Sequence, residues 1–251
     1  MQFTIAHLSD LHLKRDTQAL FKGQCPEAHF LQALAASKRI RADLLLLTGD
    51  LVQDVHPEVY QRLYQHLQAH PVPWVWLPGN HDDPQLMQTW AASAPRQIAL
   101  NAHWDLITLN TQAQESRPLG SGCLGQQALA WLETCLRTSH KAQLIAMHHP
   151  AHKVATPWID RLNLQDAQAF WALCRSLPKA KRPALIVSGH VHQAWQGRYL
   201  GINLLTAPAT SVAFQAGATQ SQLAPVTMQG WRQIDLLAQG QWRTRVLSLQ
   251  Y

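Results

Sequence analysis

The sequence predicts an α/β fold, and three observations predict it. Apolar runs of strand length, among them Leu44-Leu45-Leu46-Leu47, Trp74-Val75-Trp76-Leu77 and Ala142 to Met147, alternate with amphipathic helical stretches through Val187. These runs end in short clusters of Gly, Asp, Asn and His, and the carboxyl ends of strands are where open α/β sheets place their ligands. From His192 onward the pattern becomes all-β, with turns at Gly201, Gly230 and Gly240.

At 251 residues the chain is long enough for a sizeable core, and no internal repeat or linker divides it, so residues 1–251 read as a single domain. Hydrophobic residues make up 47% and charged residues 14%, which argues against a disordered chain. The formal charge of +6 comes from scattered Lys and Arg without a basic stripe, so no polynucleotide partner is expected. No stretch is long and apolar enough to span a membrane, and Phe3 to Leu8 reads as a first strand instead of a signal peptide. Cys25, Cys123, Cys135 and Cys174 form no CxxC pair and no zinc spacing; they read as free thiols in a reducing compartment. A cytoplasmic enzyme fits these constraints. Fourteen histidines are many for this length, and several fall at strand ends, so metal binding is the expectation.

Strand one closes in Ser9-Asp10-Leu11-His12. Asp10 and His12 can converge on one point, and a hard oxygen beside a borderline nitrogen suits Mn, Fe or Zn. Cys25 to Ile40 is a helix on the stripe Phe30, Leu31, Leu34 and Ile40. The leucine run then ends in Thr48-Gly49-Asp50. A carboxylate at the end of a buried strand is costly without a partner, and a bridging metal ligand explains it. Asp54 in the same loop orients a neighbour. Pro57 to Gln68 is a helix begun at proline. The Trp-rich strand ends in Pro78-Gly79-Asn80-His81-Asp82. There Gly79 lets the chain turn tightly, the Asn80 amide oxygen can ligate without adding charge, and the His81 imidazole can pass a proton.

A short helix through Trp90 precedes Gln97 to Leu100 and Trp104 to Leu109, a hairpin around Asn101-Ala102-His103. Thr111 to Gly125, polar and rich in Gly, Ser and Gln, is expected to be a mobile loop over the site. Gln126 to Leu136 is an amphipathic helix. The strand Ala142 to Met147 ends in His148-His149-Pro150, and adjacent side chains on an extended chain point opposite ways. His148, nearest the strand end, is the chosen ligand; His149 stays open as the alternative. Trp158 to Asp160 falls in the following loop, where Trp158 either anchors the loop or stacks on a nucleobase. A helix over Gln165 to Leu177 comes next, then Lys179-Ala180-Lys181-Arg182 as a solvated turn. Ala184 to Val187 leads into Ser188-Gly189-His190-Val191-His192, two imidazoles one residue apart. Ala194 to Tyr199 and Ile202 to Thr206 form a hairpin, and Gln222 to Met228, Trp231 to Leu237 and Trp242 to Leu247 read as further antiparallel strands.

Asp10, His12, Asp50, Asn80, His148, His190 and His192 together supply a set of nitrogen and oxygen donors that suits two divalent metals sharing one carboxylate. Any one cluster alone reads as an ordinary turn; their recurrence at successive strand ends carries the inference.

The order Asp-x-His, Gly-Asp, Gly-Asn-His-Asp, His, Gly-His-x-His, spanning residues 10 to 192, resembles the calcineurin-like metallophosphoesterase superfamily. More narrowly, Trp76 to Asp82, Trp158-Ile159-Asp160, Thr206 to Ser211 and Gly230-Trp231-Arg232 resemble the bacterial class III cyclic-nucleotide phosphodiesterases of the CpdA type. The resemblance implies a four-layer α/β/β/α sandwich of two mixed β-sheets flanked by helices. It implies two divalent metal ions, Fe2+ or Mn2+ first, with Zn2+ or Co2+ as alternatives. Asp10, His12, Asp50 and His192 would hold one; Asp50, Asn80, His148 and His190 the other, with Asp50 bridging. It further implies hydrolysis of 3',5'-cyclic AMP, a small anionic phosphodiester, to the 5'-nucleotide by a metal-bridging hydroxide. His81, Asp50 and Asn80 are then the catalytic set, with His81 near the leaving oxygen as acid or phosphate binder. The same site would also suit a broad-specificity phosphodiesterase, a phosphatase or a glycerophosphodiesterase. Some proteins of this fold have lost their metals and serve as scaffolds, but here all the ligand positions hold competent residues. An exposed C-terminal strand allows a homodimer. The chain departs from the pattern at Asn110, where relatives often carry Asp, and at His148-His149-Pro150-Ala151, where they often carry a second Pro or a third His.

Overall fold

The computed structural model describes residues 2–113 and 118–249. Two mixed sheets stack face to face. The first contains β1 (Phe3–Leu8), β2 (Leu44–Thr48), β3 (Trp74–Leu77), β10 (Gly230–Leu236) and β11 (Trp242–Ser248), in the order β11-β10-β1-β2-β3. The second contains β4 (Arg96–Ala99), β5 (Trp104–Thr108), β6 (Ala142–Met147), β7 (Leu185–Ser188), β8 (Trp195–Tyr199) and β9 (Ile202–Thr206), in the order β4-β5-β6-β7-β9-β8. β1, β2 and β3 run parallel, as do β5, β6, β7 and β9, while β10 and β11 continue the first sheet antiparallel.

The period of two along each strand sorts the apolar residues into three layers. Leu44 and Leu46, Val75 and Leu77, Leu106, Leu144 and Val187 point between the sheets. Their alternates Leu45 and Leu47, with Trp76, face α1 (Pro26–Arg39) and α2 (Pro57–Gln68), meeting Phe30, Leu34, Leu63 and Leu67. On the other side Ile107, Ile145, Met147 and Ile186 face α4 (Gly125–Thr138) and α6 (Ala167–Ser176), meeting Leu132, Leu136 and Phe170. The result is helices, sheet, sheet, helices. Both faces of the central strands are buried, which is why they read as unbroken apolar runs.

Three local expectations change. Trp158 to Asp160 is not loop but part of a short helix, α5 (Pro157–Asp160), started at proline; the Asp160 carboxylate accepts the N–H groups of Val154 and Thr156 and folds the segment back on itself. Gln222 to Met228 is not a strand. It pairs with 213–215 only as far as Ala224, because Pro225 has no N–H to continue a ladder, and 226–228 close into a 3-10 turn. Lys181 and Arg182 are not simply solvated: Lys181 donates to the Ser139 carbonyl at 2.7 Å and Arg182 to those of Leu177, Leu200 and Arg175. The Asn101–His103 hairpin forms between β4 and β5, with α3 (Pro84–Trp90) before it. Of the loop expected over 111–125, residues 114–117 lie outside the described residues.

Candidate metal centre

The carboxyl ends of β1, β2, β3, β6 and β7 meet at one edge of the sandwich and deliver Asp10, His12, Asp50, Asn80, His148, His190 and His192 to one place. The loops keep pairing past the strands: Asp10 N–H donates to the Gly49 carbonyl at 3.0 Å, His12 N–H to that of Asp50 at 2.9 Å, and Gly189 N–H to that of His148 at 3.1 Å. Packing is tight enough to require glycine. A Cβ on Gly49 would lie 2.6 Å from both Gly79 N and His148 Nδ1, and one on Gly79 would lie 2.2 Å from Asp50 Oδ1. Gly79 is therefore needed for close approach; its backbone is not left-handed, unlike that of Gly49 at φ 84°.

The ligand candidates themselves adopt left-handed backbone. Asp10, His12, Asp50, His190 and His192 have φ of 54°, 49°, 50°, 69° and 54°. Such conformations cost non-glycine residues roughly 1–3 kcal/mol each and persist where surrounding structure imposes them, typically at functional sites.

The donor atoms form two groups joined by Asp50. In one, His12 Nε2 lies 3.8 Å from Asp50 Oδ2 and 3.2 Å from His192 Nε2, which is 3.4 Å from Asp10 Oδ1. In the other, His148 Nε2 lies 3.4 Å from Asp50 Oδ1 and 3.2 Å from Asn80 Oδ1, with the His190 ring 5.2 Å away. His190 Nε2 is buried with no hydrogen-bond partner among the described residues. The far nitrogens explain why these atoms face one another. His192 Nδ1 donates to the Val212 carbonyl at 2.7 Å and His148 Nδ1 to the Thr48 carbonyl at 2.7 Å; His12 Nδ1 faces Gln53 Oε1 at 3.0 Å. Carbonyl oxygens only accept, so these rings carry their protons on Nδ1 and turn Nε2 lone pairs toward each other and toward carboxylate and amide oxygens. A cluster of acceptors in a buried pocket suits a cation. The donor set, nitrogen and oxygen with no sulfur and with outward N–H groups held by carbonyls, fits divalent metals.

Electrostatics gives the same reading. Burial resists the charge on Asp50, yet His148 first and then His12 and His81 hold its carboxyl well below the usual range. Burial works against protonation of His148 too, but Asp50 lifts it to about 9, a proton standing where a cation would serve. Burial pushes His12 down to about 3, keeping that ring neutral and able to ligate.

His149 has other partners. Its Nδ1 faces Thr111 Oγ1 at 2.8 Å and its Nε2 the Gly120 carbonyl at 3.1 Å, so both nitrogens are engaged, although one ring nitrogen of each of His148, His149 and His190 lies within 4.8 Å of the other two. His81 sits at the edge of the centre, its ring 4.9 Å from that of His12 and its backbone N–H donating to Asp50 Oδ1 at 2.9 Å. Asp82 lies beneath, buried, accepting N–H groups of Leu51, Val52 and Gly79; burial and then the charge of Asp50 raise it to about 7. Asn110 caps Gln112 N–H at 2.9 Å on the cleft wall, and Asp54 pairs with Lys14 at 3.3 Å.

Sequence reasoning missed several neighbours. Ser9 and Thr48 bond each other at 2.9 Å and Thr48 meets His7 Nε2 at 2.8 Å beneath the centre; no spacing marks a hydroxyl as a scaffold. Phe21 stacks on His12 at 4.6 Å and Phe214 on His192 at 4.4 Å, from loops that follow each ligand candidate further along the chain. These side chains border an open cleft of about 1300 Å³, together with His81, Asn110, Gln112, Gly120 and Trp158.

Comparison with known proteins agrees with this arrangement. Residues 3–194 match the calcineurin-like phosphoesterase family. The chain is 30% identical to a 3',5'-cyclic-nucleotide phosphodiesterase of Nostoc sp., over 100% of this chain and 94% of that one. It is 36% identical to the 3',5'-cyclic adenosine monophosphate phosphodiesterase CpdA of Vibrio vulnificus, over 85% of this chain and 77% of that one. A dimetal phosphatase from Danio rerio has the same fold, with a TM-score of 0.74 at 15% identity over 97% of this chain and 95% of that one. Since the matched span holds every strand-end cluster from Asp10 to His192, the chain belongs to the calcineurin-like phosphoesterase family and is a metal-dependent phosphoesterase.

Proposed function

We propose that the protein hydrolyses a small cyclic phosphodiester, 3',5'-cyclic AMP, to the 5'-nucleotide. The observation that carries the site assignment is the divided carboxylate of Asp50, one oxygen turned to His12 and the other to His148. In this reading Asp10, His12, Asp50 and His192 hold one cation, and Asp50, Asn80, His148 and His190 hold the second. His148 is the ligand of the histidine pair, because Thr111 and Gly120 already engage both nitrogens of His149. Two divalent ions held by these residues, Fe2+ or Mn2+ as the family resemblance implies, would supply Lewis acidity toward the phosphoryl group and toward water.

The chain's own groups do the rest. Left-handed backbone at five ligands aims their side chains inward and fixes them before substrate arrives. Nδ1–H bonds to Thr48 and Val212 keep the Nε2 lone pairs directed at the cations. His81 faces the open cleft and delivers a proton to the leaving 3'-oxygen. The four free cysteines support a reducing, cytoplasmic setting. The cyclic-nucleotide relatives support the substrate.

The test is a hydrolysis panel on Mn2+-reconstituted protein comparing 3',5'-cyclic AMP, 2',3'-cyclic AMP, glycerophosphocholine and bis-p-nitrophenyl phosphate, with Asp50→Ala as control. Highest kcat/KM on 3',5'-cyclic AMP, abolished by Asp50→Ala, is the expected result. Turnover of the model diester with none of cyclic AMP rejects the substrate and keeps the chemistry.

A further inference from the structure

The two sides of the cleft differ. On the side of Asn80 and Asn110 the wall has no aromatic ring among the described residues, and Gln112 and Ser121 stand there beside Ala113 and Leu119. On the side of His12 and His192 it is aromatic. Phe21 lies nearly parallel to His12, at 19°, and Phe214 nearly parallel to His192, at 25°; Trp158 stands edge-on to Phe214 with ring centres 4.9 Å apart. Ile159 and Leu162 extend this wall. One cation stands on it: Lys22 Nζ lies 5.8 Å from the Phe21 ring centre and 5.9 Å from that of Phe214, within cation–π range of both. Lys22 is the only Lys or Arg bordering the cleft among the described residues, although the chain carries a formal charge of +6.

The backbone under Lys22, whose side chain is exposed, is set by a tight turn. Phe21 and Gln24 exchange backbone hydrogen bonds at 2.8 and 3.1 Å, and the two residues between them, Lys22 and Gly23, are both left-handed, at φ 49° and 85°. That is the pattern of a type I′ turn, which presents its tip rigidly. Trp158 is likewise fixed, by α5 and the Asp160 carboxylate that closes it.

An aromatic wall next to a phosphoester centre can serve two kinds of diester. Quaternary ammonium groups favour aromatic faces, but here Lys22 already occupies the cation position over both phenyl rings and repels a second positive charge. A flat heterocycle has no such conflict: it can stack on the half-buried Trp158 ring and offers ring nitrogens to the ammonium. We infer that Phe21, Lys22, Trp158 and Phe214 form a nucleobase subsite, selecting a diester whose alcohol carries a flat, uncharged heterocycle over one carrying choline or a plain alkyl chain. The inference rests on the phosphodiester reading above and names the residues that set its specificity.

The experiment uses Mn2+-loaded full-length protein, wild type and the variants Trp158→Ala, Trp158→Phe and Lys22→Ala, with metal content and circular dichroism checked for each. Calorimetric titration compares 5'-AMP with ribose 5-phosphate, which share the phosphate and differ by the base. Wild type is expected to favour AMP by about tenfold, from one stacking contact, with Trp158→Ala reducing that ratio to near one and Trp158→Phe restoring most of it. Lys22→Ala is expected to raise kcat/KM for glycerophosphocholine relative to 3',5'-cyclic AMP by threefold or more. Equal binding of AMP and ribose 5-phosphate by wild type, or ratios unmoved by the variants, overturns the subsite and leaves the cyclic AMP reading intact. Base-dependent binding without cyclic AMP turnover keeps the subsite and rejects that substrate.

Discussion

Tyr60, buried on α2, donates its hydroxyl proton to Asp82 Oδ1 at 3.2 Å and accepts the Asp83 N–H at 2.8 Å. Through Asp82, which also accepts from Leu51 and Gly79, this hydroxyl ties the Asp50 loop to the Asn80 loop. Replacing Tyr60 with Phe removes a buried donor to Asp82 and leaves the half-buried Asp83 N–H unmatched. The expected cost is about 2 kcal/mol, or a melting temperature lower by roughly 4–8 °C, read by thermal unfolding of metal-loaded protein.

The bridging geometry predicts unequal metal loss. Asp50→Asn should leave less than one metal per chain by elemental analysis, since both donor groups lose a charge. Asp10→Asn should leave about one. Activity of Asp50→Asn should fall by ~10³-fold or more, because several kcal/mol of charge stabilisation go with the cations. Equal stoichiometry in the two variants would reject Asp50 as the shared ligand.

Gln53 touches no candidate cation, yet its Oε1 faces His12 Nδ1 at 3.0 Å and sets which nitrogen carries the proton. Gln53→Ala should weaken metal affinity by about 10–100-fold while leaving two sites at saturating metal. A chelator competition series measures this directly.

His81→Ala separates proton delivery from phosphate binding. As the acid, His81 matters most when the leaving alkoxide is basic. kcat for 3',5'-cyclic AMP should drop far more than kcat for a p-nitrophenyl ester, whose leaving group needs no proton. Equal losses on both would make His81 a phosphate contact.

Acid should draw stability out of the fold through two histidines that burial holds neutral. Burial, and then the Arg232 charge, lower His7 to about 3, and burial alone lowers His152 to about 4. In the unfolded chain both rings take a proton below about pH 6.5, while the native rings stay neutral, so the unfolded state binds more protons. The contribution of these two rings is therefore full above pH 6.5 and falls between there and pH 4, by about 1.4 kcal/mol per pH unit for each ring, while Asp82, raised to about 7, opposes them by taking up a proton in the native state. Urea midpoints across this window should slope accordingly, and His152→Gln should flatten the slope.

Much of this was legible in the chain. The helix Pro57–Gln68 and the strands Trp74–Leu77 and Ala142–Met147 begin and end where hydrophobic pattern and proline place them. The strand-end clusters were legible because Asp and His directly after apolar strands have no packing explanation. The aromatic wall was not: Phe21 and Phe214 lie 193 positions apart in numbering and come together only in the fold, around His12, His192 and the Lys22 ammonium. Nor was the backbone of the ligands, since left-handed φ at Asp10 or His192 comes from neighbouring loops and leaves no trace in residue type. Gln222 to Met228 misled because apolar residues lie on both sides of Pro225 while the ladder hydrogen bonding stops before it.

The four leucines of β2 carry one more consequence. Both their faces are buried, Leu44 and Leu46 between the sheets and Leu45 and Leu47 under the helices, so sliding the strand by one residue exchanges leucine for leucine. Ordinarily such a slip would put apolar groups in water and be penalised; here hydropathy is blind to it. What resists it is Thr48, whose hydroxyl is claimed by His7 and Ser9, and Gly49, which alone fits beneath Gly79. The address of this strand is thus written at its catalytic tip. Substitutions there would scramble alignment as well as chemistry, and a dead variant at Thr48 or Gly49 would be a misthreaded protein before it was an inactive one.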